Sequence, residues 1–163
     1  MRFLRAAALV GCLFAMPAVP GEPAWTRFQP EDGSFSVVVP QAPEKGTDIR
    51  GRTYYMVRLA PGVGYTASCH DLGRASAALV QSHLDDMRRG IVGKRTLISQ
   101  QPFQRGAMHG YELRVAAAPD GSVVMHSLVV ATTGRYACAF QTVGPAGPDT
   151  EGAKRFLESA RIN

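Results

Sequence analysis

The stretch YTASCHDL, residues 65–72, sets a thiol, an imidazole and a carboxylate side by side at Cys69, His70 and Asp71. These are the groups of a nucleophile, its base and the base's orienter, which acyl-transfer enzymes gather from separate segments so that the side chains point at one another. Neighbours on a strand point apart. If 65–70 is a strand, Tyr65, Ala67 and Cys69 share one face and Thr66, Ser68 and His70 the other. That alternation excludes a Cys69–His70 dyad unless the strand breaks there.

The same alternation through residues 134–142 puts Tyr136, Cys138 and Phe140 on one apolar face, with Arg135, Ala137, Ala139 and Gln141 opposite. On adjacent antiparallel strands, directly opposed Cα atoms lie about 4.5–5.5 Å apart, and disulfides span about 4.4–6.8 Å. Cys69 and Cys138 are therefore read first as a structural disulfide. Two unpaired buried thiols are the alternative, and a reactive thiol is the weakest reading.

Further chemistry is sparse. The four histidines are scattered: His70, His83 on a helical stretch, His109 in a Gly-flanked turn, and His126 in a strand. None has metal-ligand spacing, and one helical turn beyond His83 come Asp86 and Met87, not a second ligand. The nucleophile-elbow, dinucleotide and P-loop signatures are missing. Asp85-Asp86 and Glu31-Asp32 are adjacent carboxylate pairs, read as solvated because helix neighbours point about 100° apart and the second pair lies in a turn. No catalytic residue, metal or cofactor is assigned.

The elements that would position these groups follow from periodicity. Residues 35–39 form a strand closed by Pro40, and residues 41–50, polar with Pro43 and Gly46, read as a loop. Residues 52–60 and 64–72 are strands joined through PGVG, hence an antiparallel hairpin. In residues 75–89, Ala77, Val80, Leu84 and Met87 recur at helical spacing, with Gly90 as the left-handed stop. Four strand-like runs follow, at 94–104, 110–118, 122–133 and 134–143, separated by turn residues. A last helix starts with Asp149 or Thr150 as N-cap and turns Phe156, Leu157 and Ala160 inward. The order predicts an α+β fold, a mostly antiparallel sheet covered by helices.

The chain has 163 residues, 18 basic and 13 acidic, with a formal charge of +5. No Lys/Arg run exceeds two, so the clustered basic face that nucleic-acid binding needs is not expected. Residues 1–21 read as a secretory signal, with Arg2 and Arg5 at its start, an apolar segment from Ala6 to Ala15, and a small-residue exit at Pro17 to Gly21. The domain would then be residues 22–163, periplasmic or secreted. LVGC at 9–12 is a competing lipobox that would make Cys12 a lipid-bearing N-terminus, although only six apolar residues separate Arg5 from Cys12. Plain cleavage is the favoured reading.

Several groups of residues carry a wider likeness: Trp25 with Phe28, Gly33-x-Phe35-Ser36-Val37 with Pro40 and Pro43, Leu84 through Val92, Gly106 with Gly110 and Glu112, Gly134-Arg135-Tyr136, and Phe156 through Ile162. In this order the chain resembles small secreted bacterial proteins of the PsbP-like type. The resemblance implies an α-β-α sandwich and a binding or assembly role; it brings no catalytic residues and does not include Cys69 or Cys138.

Function is then weighed among three classes. The leading expectation is a non-enzymatic envelope accessory protein that engages a protein partner or a small apolar ligand. A hydrolytic enzyme, the second class, would draw on His70, Asp71 and His109. A lipid-anchored structural protein would depend on Cys12, the only route to a membrane here.

Overall fold

The computed structural model describes residues 24–132, 135–145 and 151–163. The expected leader, Cys12, Gly134 and the N-cap at Asp149 or Thr150 lie outside them. Seven strands build the main antiparallel sheet: β3 (Glu44–Thr47), β4 (Thr53–Ala60), β5 (Val63–Asp71), β6 (Leu97–Arg105), β7 (Met108–Ala116), β8 (Val123–Ala131) and β9 (Tyr136–Pro145). Their spatial order is β3-β4-β5-β9-β8-β7-β6. A small sheet sets β2 (Phe35–Val39) between β1 (Thr26–Phe28) and β10 (Arg161–Ile162). The helices are α1 (Ala77–Val92) and α2 (Glu151–Ser159).

Strand alternation sorts the core onto the two faces of the main sheet. On one face Tyr65, Ala67, Leu128, Val130, Cys138 and Phe140 pack against Phe35, Val37 and Val39 of β2 and against Phe156 and Leu157 of α2. The rings of Tyr65 and Phe156 stack with centroids 4.9 Å apart. Ser159 ties α2 to β2: its hydroxyl accepts from the Val38 N–H and donates to the Phe156 carbonyl. Arg105 reaches from the end of β6 to the carbonyl of Glu158 at 2.8 Å, satisfying the last turn of the helix. The opposite face holds a smaller cluster, Leu113, Val129, Ala131 and Ala137, beneath Val80 and Leu84 of α1.

The α+β, mostly antiparallel reading holds, and the 52–60/64–72 hairpin and the four-strand meander form as expected. Cys69 and Cys138 are direct register partners on β5 and β9 and are joined by a disulfide. Phe156, Leu157 and Ala160 are buried as expected.

Other expectations are corrected. The face toward α2 is closed partly by a second sheet, so helices alone do not cover the main one. Residues 44–47, read as loop, pair with β4; Asp48 closes the turn by accepting the N–H groups of Arg50 and Arg52, so pairing outweighs a weak strand pattern. Gly46 lies under the Tyr54 ring, where a Cβ would come within 2.4 Å of it. Helix α1 runs through Gly90 to Val92 and ends on Gly93, whose φ of 50° and N–H bond to the Arg89 carbonyl make it the cap. The apolar face continues to Ile91 under the helix, and that packing outweighs the roughly 1 kcal/mol penalty of an internal glycine. Ala77 is exposed; Leu72 and Ala75, ahead of the helix, pack on its cluster instead. His109 sits in β7, because the turn is used up at Gly106 and Met108 already pairs with Arg105.

Candidate ligand-binding cleft

Helix α1 lies over β7, β8 and β9, leaving the β3–β5 side of that face uncovered. A cleft of about 780 Å³ opens there, between α1 and the β3–β4 hairpin. Its floor is the outward row of the sheet, Ser68, Met125, Ala139 and Gln141. One wall is the hairpin turn with Arg50, Arg52 and Tyr54, and the other is α1 and its exit with His83, Met87, Ile91 and Arg95. Asp48, through its bonds to the Arg50 and Arg52 amides, leaves Ile49 and Arg50 at the corner of the turn; Ile49 is fully exposed at the cleft mouth.

Two imidazoles meet inside it. His70 Nδ1 and His83 Nε2 are 2.7 Å apart, so one ring donates and the other accepts. The rings meet edge-on, with centroids 4.9 Å apart. Burial pushes His70 below its ordinary pKa, helped by His83 and Arg52 and opposed by Asp48. Burial also lowers His83, with Asp86 opposing and Arg52 adding. The pair is held neutral by being removed from water near cations.

The carboxylates of the cleft are already engaged. Asp48 forms an ion pair with Arg52 at 2.6 Å, and that hydrogen bond, the largest cause, draws its pKa down to about 2. Asp86 pairs with Arg89 one turn along α1. Asp85 diverges from Asp86 as helix geometry requires, but is not simply solvated: it accepts the Tyr111 hydroxyl at 2.7 Å, which lowers the Asp85 pKa and raises that of Tyr111. On the cation side, Arg95 donates one nitrogen to the Ile91 carbonyl at 2.8 Å.

The residues singled out from the sequence are not brought together as an enzyme would need. Cys69 is in the disulfide, on the face opposite His70. Asp71 turns to the surface, accepting the Gly73 N–H at 2.8 Å and facing Arg135 at 3.3 Å; the amide bond is the main reason its pKa is lowered. His109 shares a cross-sheet row with His70 through Ala131 and Ala137, and three strand spacings put it about 14 Å away. His126 is joined to Glu112 at 2.7 Å in the partly buried row between β7 and β8. Sequence reasoning missed the His70–His83 pair. Its signal was a histidine on the outward parity of β5 and another on the inner side of the helix directly following.

No protein-family model matches the chain. No curated protein matches it in sequence. Among solved structures, it is similar to cyanobacterial PsbP from Synechocystis, with a TM-score of 0.58 at 11% identity, covering 94% of this chain and 100% of that one. It also aligns with a Bacteroides thetaiotaomicron protein at a TM-score of 0.46 and 12% identity, over 84% of this chain and 48% of that one. The third is the Saccharomyces cerevisiae Ran-binding protein Mog1p, at a TM-score of 0.45 and 10% identity, covering 85% and 95%. The resemblance expected from the sequence therefore holds at the level of fold: the chain is PsbP-like.

Proposed function

We propose that this protein is a non-enzymatic accessory protein of the bacterial envelope, an α-β-α sandwich of the PsbP-like type that engages a partner or a ligand through the α1-side cleft. The observation that carries this reading is the cleft itself, left where one helix is too narrow for a seven-stranded sheet and walled by a projecting hairpin turn. Export rests on the leader at 1–21, and the Cys69–Cys138 bridge is compatible with an oxidising compartment. Acylation of Cys12 is the alternative mode of delivery. A binding role fits the paired imidazoles better than catalysis does, since none of the hydroxyls lining the cleft, of Thr53, Tyr54 and Ser68, makes a hydrogen bond to either ring among the described residues.

The test is site-specific photocrosslinking in intact cells. A benzophenone residue at Ile49 should give a discrete adduct, whereas one at Ser99, on the exposed edge strand β6, should not. Adducts from Ser99 alone would reject the cleft as the engaged surface.

A further inference from the structure

We infer that the cleft is built for a small organic anion with an apolar body, its oxyanion head between Arg50, Arg95 and the His70–His83 pair. This deepens the binding role proposed above and rests on it. The first reason is charge. Arg50, Arg52, Arg89 and Arg95 line the cleft against Asp48 and Asp86, an excess of two positive charges with both imidazoles neutral. Each carboxylate is already held by an arginine, Asp48 by Arg52 and Asp86 by Arg89, so the surplus falls to Arg50 and Arg95.

The second reason is unused donor capacity. The Arg50 guanidinium makes no hydrogen bond or ion pair among the described residues, although the turn aims the residue at the cleft. Arg95 spends one nitrogen on the Ile91 carbonyl and keeps its remaining donors. A guanidinium offers paired N–H groups that match a carboxylate or phosphate in fork geometry. Of the nitrogens not used in the pair, His70 Nε2 and His83 Nδ1, one carries the N–H in the neutral pair, that of the ring that accepts, and it completes the donor set.

The third reason is what lies beyond the head. Met87 and Ile91 from α1, Tyr54 from β4, and Met125 and Ala139 from the sheet supply apolar surface to the same space. A head fixed by a few polar groups and a body on apolar walls is the usual division of labour in a small-molecule site.

The experiment uses the full domain with its disulfide intact and three probes: sodium octanoate, octan-1-ol and inorganic phosphate. Imidazole nitrogen resonances of His70 and His83 report the head, and methyl resonances of Met87, Ile91 and Met125 report the body. Octanoate should shift both sets saturably, and phosphate should shift the imidazoles alone and compete with octanoate. Arg50→Glu, an exposed change on a turn, should weaken octanoate by about tenfold or more, the effect of losing one charge-assisted contact. The inference is overturned if octanoate moves neither set at millimolar concentration, if octan-1-ol binds as well as octanoate, or if Arg50→Glu leaves binding unchanged. Crosslinking from Ile49 distinguishes the two failures: an adduct without octanoate binding removes the anion and keeps the partner, and octanoate binding without an adduct removes the partner and keeps the anion.

Discussion

On the face of the main sheet toward α2, Phe35, Phe140 and Phe156 are almost wholly buried, a second sheet and a helix share the covering, and a disulfide lies within the layer. On the opposite face one helix rests on a smaller cluster, Leu113, Val129, Ala131 and Ala137, and what it does not cover is lined by arginines and histidines. The two faces belong to the same strands and differ in parity alone. Apolar residues with a full covering layer hold the fold, and polar residues exposed by an incomplete layer remain available for recognition. Strand alternation thus lets a sheet of ordinary size carry a packed core on one side and an open polar cleft on the other.

That contrast can be broken, first through packing. Phe156→Ala should cost about 3–5 kcal/mol in chemical denaturation, the range for deleting a buried ring, whereas Leu84→Ala under α1 should cost about 2–3 kcal/mol because its cluster is smaller and a single helix that covers it can settle into the space. Equal losses at both sites would remove the distinction. Next, replacing Cys69 and Cys138 together by Ala should lower stability by about 2–4 kcal/mol, measured against oxidised wild type, since the bridge spans 69 residues of chain.

The pH response should belong to the cleft face. His70 and His83 are lowered from 6.5 in the folded protein, so the unfolded chain takes up protons first as pH falls. Stability should therefore be unaffected above about pH 6.5 and decline below it. Arg52 and Asp48 on the hairpin and Asp86 on α1 act on the pair and tune this response; Arg50, Tyr54, Arg89 and Arg95 line the same cleft, and its floor is uncharged. Urea midpoints at about pH 8 and about pH 5.5 should differ more in wild type than in His83→Gln, and an equal difference would place the response elsewhere. The smallest effect concerns the hairpin turn. The Asp48 carboxylate, drawn down to about 2, contributes above its ordinary value and loses its effect only as pH falls through about 2. Asp48→Asn should speed amide exchange at Arg50 and Arg52, whose N–H groups the carboxylate accepts, without moving the global unfolding midpoint.

The legibility of these features followed how local their signals are. That Cys69 and Cys138 each lie on an apolar strand face was readable from alternation, a short-range pattern, but their register was not, because β5 pairs with β9 across a separation of 69 residues. The small sheet was not, since β10 pairs with β2 across almost the whole chain and only two residues of it take part. The His70–His83 contact depends on how the helix after β5 is laid back over the sheet, a tertiary relation that parity alone does not specify. The arginines of the cleft looked like scattered solvated charge because Arg50, Arg89 and Arg95 come from a turn, a helix and its exit. Helix α1 outlasted Gly90 because Ile91 still had a surface to bury.

The most direct measurement of the central claim is hydrogen–deuterium exchange of the full domain, alone and with a solubilised extract of its own cell envelope. Engagement at the cleft predicts added protection in residues 48–54 and 83–95 and none in β2 or α2. Protection gained on β2, α2 or the β6 edge, with the hairpin turn and α1 unchanged, would contradict the account.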